Sequence, residues 1–546
     1  MKTKDILFII PPYFNIQDYV KNDKKSILPQ LAIPYGILSI DSYLRSHSSH
    51  TVKSEVLDLN LQVYKIVNSG EDGVYGNIEE TLREIISQRL EKKKFDLVAI
   101  SALFNPCYYF LEVISSTVKT SSNSVPCVIG GGLASNLYKK ILQDFQYIDG
   151  VCYAEGEIPM KDLIDSDNYM ELMDNHRSWV TRKSLGSGGV PLPTYIENLD
   201  DIPVFSYDNI NLDDYKGRAA DVYNVKKGVK RELSIHTSRG CPFSCIYCAS
   251  STIHGHKLRF MSVERVISEI DLMIERYNMD VLLIEDDHFL GDKKRAAKIL
   301  SQLSEKNIKI EFLSGIAVHP IDEEIASLMA RAGVSSVSLA VESGSDYILR
   351  LMNKPLRKHQ VKERVNVLRK YGILVHAYII LGVPGEMDCH RLETIEMLKD
   401  VGFDWVYFFN AVPVVGSRLY DICVANNYLA EKDFRNHIQS KSIISAPGVN
   451  PKKIQKILYL YNLEINFVNN YNLCSGNYET AFLYFSKIVQ KYPQNAFAHY
   501  ALSKYYKLSG TDDKLAKTYA ANFQEIINKD SEWKYYADHF GLCGYE

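Results

Sequence analysis

The chain has 546 residues, a formal net charge of -3 and ten cysteines. Its length calls for about three domains, each able to bury a core of its own. The near-balanced charge gives no electrostatic argument for nucleic acid or an anionic membrane as partner, and cysteines this sparse are not a disulfide scaffold. No apolar run reaches membrane-spanning length, and the short run Ile6–Ile10 closes at Pro11-Pro12, so a soluble, cytoplasmic protein is expected.

Residues 1–167 alternate short apolar runs with amphipathic helical periods. The runs Ile6–Ile10, Ser54–Asp58, Leu97–Ser101, Pro126–Gly130 and Gly150–Ala154 read as strands buried on both faces, with helices near 33–46, 77–92, 106–120, 135–143 and 158–165. The pattern predicts an α/β, doubly wound, Rossmann-like parallel sheet whose ligand crevice lies beyond the strand C-termini. Turn residues collect there: Pro11-Pro12-Tyr13, Ser101-Ala102-Leu103, Gly130-Gly131-Gly132 and Glu155-Gly156-Glu157. Glycines at such turns let the backbone approach a bulky ligand closely. A plain scaffold would show ordinary glycine turns as well.

Residues 168–230 are polar and irregular and read as a linker or connector. Residues 231–430 carry six strand-like runs, at 232–238, 281–286, 308–314, 335–341, 373–381 and 405–411, each followed by a helical period. That count predicts a partial (β/α)6 barrel with its chemistry at the strand C-terminal ends. The first run leads into Cys241-Pro-Phe-Ser-Cys245-Ile-Tyr-Cys248, a C-x3-C-x2-C loop. Three thiolates so spaced can hold three irons of a 4Fe-4S cube and leave the fourth open to a ligand. A structural zinc site is the alternative, but it takes four protein ligands and no second cysteine pair lies nearby. The other seven cysteines lack ligand spacing, so no second cluster is expected. The later strands end at Glu285-Asp-Asp287-His288, His319, Glu342-Ser343, Gly382-Val-Pro384-Gly-Glu386 and Pro413-Val-Val-Gly-Ser417. His254, His256 and Arg259 follow the cysteine loop, and Arg259 reads either as the partner of a site carboxylate or as a surface arginine.

Residues 431–546 predict an all-α domain. Gly476-Asn-Tyr-Glu-Thr-Ala481 and Gly510-Thr-Asp-Asp-Lys-Leu-Ala516 open similar units 34 residues apart, a period that resembles tetratricopeptide repeats. Such helices bind a peptide or protein partner, or they cap the barrel and shape its entrance.

The cysteine loop resembles the signature of the radical S-adenosylmethionine (SAM) enzymes, whose open iron takes the amino and carboxylate groups of SAM. The resemblance implies roles for particular residues. Tyr247 packs on adenine, Glu285 and Asp287 lie where relatives bind the amino group, Glu342 or Ser343 bonds the ribose or carboxylate, and the backbone at Gly382 and Pro384 lies against adenine. The order of N-terminal motifs looks like the cobalamin-binding domain found ahead of many radical SAM domains, with Pro12, Tyr13, Ser101, Leu103, Gly131, Gly132, Glu155 and Gly156 lining the crevice. The Asp-x-His-x-x-Gly motif that puts an imidazole on cobalt is absent, so cobalt would be held without a protein histidine. The resemblance further implies an electron donor such as flavodoxin or ferredoxin, and methylation of a small molecule or peptide at an unactivated carbon or phosphorus. Ring formation or rearrangement without net methyl transfer is the alternative within the family, and a partner-binding iron-sulfur protein is the alternative outside it. No motif selects the substrate.

Overall fold

The computed structural model describes residues 2–13, 31–69, 77–215, 231–437 and 440–545. The end of the connector, 216–230, lies outside the described residues.

The N-terminal sheet contains β1 (Thr3–Ile10), β2 (Thr51–Asp58), β3 (Leu97–Ser101), β4 (Cys127–Gly130), β5 (Gly150–Cys152) and β6 (Trp179–Val180) in the order β2-β1-β3-β4-β5-β6. β1 to β5 are parallel and β6 is an antiparallel edge. The chain winds one way from β1 to β2 and the other way from β3 onward, so the switch point lies between β1 and β3. Alternation within β1 shows why the run is apolar throughout. Leu7 and Ile9 join one core, Ile6, Phe8 and Ile10 the other, and both faces are covered.

Two features depart from the sequence expectation. A helix, Leu59–Ser69, starts directly after β2. The stretch read as connector holds the helices Tyr169–Asn175 and Arg182–Gly186 and the edge strand β6, with Trp179 buried against the sheet.

The barrel is built from two three-stranded parallel sheets. β7 (Glu232–Ile235), β10 (Val281–Ile284) and β11 (Lys309–Phe312) form one, in the order β11-β10-β7. β12 (Ser336–Glu342), β13 (Leu374–Leu381) and β14 (Trp405–Asn410) form the other. A parallel bridge between Ile316 and Leu339 joins them into six strands. A short antiparallel pair, β8 (Ser238–Arg239) with β9 (Arg259–Phe260), pinches the base of the cysteine loop.

The tail contains the helices Pro451–Leu463, Tyr478–Lys491, Ala496–Ser509, Asp513–Lys529 and Ser531–His539 around an aromatic core. That core includes Trp405 of β14, and the buried His376 of β13 hydrogen-bonds through Nε2 with the hydroxyl of Tyr484 at 2.8 Å. The tail is thus fastened to the barrel strands. No helix among the described residues is long and apolar enough to cross a membrane.

Candidate functional site

The cysteine loop leaves β8 through Gly240, whose φ of +91° and position against the Lys257 carbonyl, 2.3 Å from an ideal Cβ, require glycine. The turn into the loop is fixed by Asp286, which accepts from Thr237 N, Thr237 Oγ1 and Ser238 Oγ, each at 2.6 Å. Arg295 Nη2 donates to the Thr237 carbonyl at 2.8 Å. Farther along, Ile246 N donates to the Met352 carbonyl and Asn353 Nδ2 to the Ser244 carbonyl, so the segment after β12 holds the other side of the loop.

Burial pushes all three thiols up, Cys248 to about 11, and each of the other two raises Cys248 further by its own charge. Thiols that oppose one another's ionisation fit a group that supplies positive charge to each. The three thiols stand on one loop, as a cube requires, in which each thiolate caps a different iron and the fourth iron is left open.

Around the loop lie the other strand-end residues. Glu342 Oε1 accepts from the Tyr247 hydroxyl at 3.0 Å and from Lys354 Nζ at 3.2 Å, and Glu342 itself holds φ +68°. A non-glycine residue in this region is strained by about 1–3 kcal/mol, which the surrounding structure must maintain. Ser343 is buried against Thr394. Glu285 accepts from Ser234 Oγ at 2.6 Å and sits 3.6 Å from His236 Nε2. Asp287 and His288 line a small cavity with Phe312 and Gly315. His288, His319 and Phe243 of the cysteine loop form a ring cluster, and burial lowers both histidines, His288 to about 4. Gly382 has φ +91°, its amide donates to buried Glu386 Oε2 at 2.6 Å, and the tail residue Ile454 packs on its Cα side. The backbone before Pro384 is thus fixed from below by the tail.

The second crevice lies at the switch point of the N-terminal sheet. Pro12 and Tyr13 follow β1, and Asn60 Oδ1 accepts from Tyr13 N at 3.2 Å. The Tyr13 ring meets Phe104 at 5.2 Å. Leu103 and Phe104, after Ser101, are 55 % and 52 % exposed, an apolar surface at a strand end. Gly131 has φ +101°, and an ideal Cβ there would stand 2.5 Å from the Ala102 carbonyl. Gly132 faces the Leu103 carbonyl, and Gly156 makes room for Ile40 of the helix Tyr35–His47. Glycine-flanked backbone beside exposed apolar side chains fits a broad, largely apolar macrocycle such as cobalamin.

Glu155, expected from the sequence to line the crevice, is instead buried with both carboxylate oxygens engaged by the barrel. It is 4 % exposed and ion-paired to the barrel: Arg259 Nη1 and Nη2 donate at 2.9 and 2.5 Å, His254 Nδ1 lies at 2.8 Å and Arg239 Nη1 at 3.2 Å. Arg259 is itself buried, which settles its two readings in favour of the carboxylate partner. Arg239 is shared with Glu157 at 2.7 Å. Burial alone would raise the Glu155 carboxyl, but Arg259, Arg239 and His254 outweigh it and hold it well below the usual range. Arg239 and Arg259 bracket the cysteine loop, so these ion pairs join the end of β5 to its base. After β14, Val415 and Phe434 enter a core of the N-terminal sheet, and Gly416 packs on Asn136. Lys354 lies outside every motif quoted from the sequence, and Asp286 and Phe243 lie inside two of them in roles the motifs did not assign.

The fold and site define a two-part protein: a partial barrel with a three-cysteine loop at its mouth, joined to a doubly wound sheet with glycine turns and exposed apolar side chains at its switch point. The comparisons agree on both halves. The Radical SAM superfamily model matches residues 235–398, and the B12 binding domain model matches residues 28–164. An uncharacterized methyltransferase of Pyrococcus horikoshii is 27% identical over 460 residues, 84% of this chain and 91% of that protein. The cytidylyl-2-hydroxyethylphosphonate methyltransferase of Streptomyces wedmorensis is 28% identical over 50% of this chain and 53% of its own length. The anaerobic magnesium-protoporphyrin IX monomethyl ester cyclase of Rubrivivax gelatinosus is 23% identical over 59% and 56%. Two solved structures share the whole arrangement at 14% identity. The radical SAM methyltransferase TsrM of Kitasatospora setae, with tryptophan and a SAM analogue, gives a TM-score of 0.59 over 96% of this chain and 99% of its own. The cobalamin-dependent SAM radical enzyme OxsB, with aqua-cobalamin and SAM, gives 0.63 over 98% and 80%. The chain is a radical SAM enzyme with a B12-binding domain ahead of its barrel.

Proposed function

We propose that the protein methylates an unactivated carbon or phosphorus centre of a small molecule or peptide, using SAM, the 4Fe-4S cluster and cobalamin together. The observation that carries this reading is the Glu155 ion-pair set, which ties the strand ends of the B12-binding sheet to the base of the cysteine loop. A substrate lying between the two crevices would face both cofactors. When bound, the cluster supplies the electron that cleaves SAM to methionine and a 5'-deoxyadenosyl radical, and cobalamin supplies the methyl carrier.

The chain's own residues do the holding. Cys241, Cys245 and Cys248 would ligate the cluster and leave one iron to the amino acid part of SAM. Lys354 and the Tyr247 hydroxyl fix the Glu342 carboxylate, so its second oxygen has a set direction for a ribose hydroxyl. Gly382 and Pro384 offer flat backbone for adenine, and the Glu386 contact holds that turn still. Leu103, Phe104, Gly131 and Gly132 would bear on the macrocycle. The electron donor and substrate named by the family resemblance belong to this reading, as does the domain division at 167, 230 and 430. The tail helices, read as a cap, support the Gly382 turn through Ile454.

The test is stoichiometric. Methylation uses two molecules of SAM, so S-adenosylhomocysteine and 5'-deoxyadenosine should accumulate in comparable amounts when substrate is present. Substrate-dependent 5'-deoxyadenosine without matching S-adenosylhomocysteine would replace methylation by ring formation or rearrangement, the activity class of the cyclase relative.

A further inference from the structure

The cysteine loop is hydrogen-bonded on one side to a basic segment. From Tyr347 to Lys362 there are five basic residues, Arg350, Lys354, Arg357, Lys358 and Lys362, and no Asp or Glu, in a protein of net charge -3. Arg350, Asn353, Lys354, Pro355, Arg357 and Gln360 line an open groove of about 410 Å³. Two of these cations are already paired with acids: Lys354 turns inward to Glu342, and Lys362 reaches Asp400 at 2.6 Å. Arg350, Arg357 and Lys358 are exposed, and among the described residues none has a carboxylate partner for its side chain. Acids flank the segment at both ends: Asp346 accepts from the Lys358 amide at 2.9 Å, and Glu363 from Arg364 Nη1 at 2.9 Å. Apolar groups on the same segment are also exposed, Tyr347 by 48 % and Leu351 by 37 %.

The groove is also continuous with the loop that would bear the cluster. Met352 accepts from Ile246 N at 3.0 Å, and Asn353 Nδ2 donates to the Ser244 carbonyl at 2.9 Å, so its floor is hydrogen-bonded between the second and third cysteines and beside the second. We propose that this groove is the docking surface for an acidic one-electron carrier protein that reduces the cluster through the loop behind it. The proposal rests on the radical SAM reading and adds to it the place where the electron enters. One electron leaves the carrier, which is oxidised by one. On reaching the SAM sulfonium it breaks one S–C bond, leaving a neutral thioether and a carbon radical. A surface with unpaired cations and exposed apolar groups on one segment suits a brief, salt-sensitive encounter with an anionic partner. An open groove walled by long flexible cations is less suited to a tightly held small anion, whose sites enclose most of the ligand.

The test uses the reconstituted full chain and a purified flavodoxin of net negative charge. Cluster reduction is followed by loss of its visible absorbance, a readout independent of turnover. The exposed pair Arg357→Glu with Lys358→Glu should weaken flavodoxin binding at least about tenfold and flatten its salt dependence. Flavodoxin-driven bleaching should slow to match, and dithionite-driven bleaching should stay as in wild type. Equal flavodoxin binding and bleaching in both proteins would overturn the proposal. So would pyrophosphate binding that the double substitution abolishes while flavodoxin bleaching is unchanged, since the groove would then be a small-anion site. Failure of dithionite to bleach either protein would overturn the cluster reading itself, and this proposal with it.

Discussion

Replacing Glu155 by glutamine keeps the shape of the side chain and removes the charge that two buried arginines share. Arg239 retains Glu157 at 2.7 Å. Arg259, whose side chain is 2 % exposed, retains the carbonyls of Ile196 and His254 and the face of the Tyr195 ring at 4.5 Å, but no carboxylate among the described residues. Removing one partner of a buried pair leaves an uncompensated charge and costs about 3–5 kcal/mol. The whole stability of a domain is about 5–15 kcal/mol, so Glu155→Gln should shift the first urea transition clearly downward. The paired change Glu155→Leu with Arg259→Met should recover at least about 2 kcal/mol of that loss, because apolar groups of similar volume can replace a buried ion pair without penalty. Glu155→Gln should also separate the two chemistries: cobalamin occupancy and SAM cleavage remain, while methyl output falls. A Glu155→Gln protein within about 0.5 kcal/mol of wild type would refute the reasoning. It would mean that Arg259 finds solvent or another partner, and that these ion pairs do not hold the crevices together.

Cys245→Ala should abolish both the iron-sulfur absorbance and 5'-deoxyadenosine formation while circular dichroism stays that of a folded chain; a variant that keeps full iron would remove the cluster assignment. Gly131→Ala forces a side chain into φ +101° against the Ala102 carbonyl. After reconstitution with hydroxocobalamin it should hold well under half of the roughly one equivalent expected of a one-site wild type, whose cobalt, reduced by one electron to Co(II), should show no histidine nitrogen by electron paramagnetic resonance. His376 is buried and neutral, its pKa lowered from 6.5 to about 4 by desolvation. The unfolded chain therefore takes the proton first, and stability is lost as pH falls from about 6.5 to about 4, by about 3 kcal/mol for a shift of roughly 2.5 units. Between about pH 6.5 and 4, urea titrations should show wild type losing about 3 kcal/mol more than His376→Gln, and parallel curves would show that the imidazole is not kept neutral.

Much of the fold could be read from local pattern. β3 and the six barrel strands lie where short apolar runs bounded by turn residues put them, because a strand buried on both faces has no other composition open to it. The helix Leu59–Ser69 follows β2 without a break, so no turn residue marks its start, and the sequence reading leaves it unassigned. β6 is two residues long and takes its identity from the edge of β5 rather than from its own sequence. At the site, the three cysteines announced themselves because their ligand spacing is local. The bond from Glu155 to Arg259 spans 104 residues, and the one from Glu342 to Tyr247 spans 95, so neither has a local signature. The left-handed backbone of Glu342 is likewise imposed by the barrel end, since a glutamate does not favour it.

The central claim is that this protein handles the methyl group of SAM as well as its adenosyl group. Supplying the reduced, fully reconstituted chain with SAM labelled in its methyl carbon, before any substrate is added, tests it most directly. The account predicts release of S-adenosylhomocysteine with the labelled carbon retained in the protein-bound fraction. Protein that holds cluster and cobalamin and cleaves SAM to 5'-deoxyadenosine, yet releases no S-adenosylhomocysteine and retains no label, would contradict it.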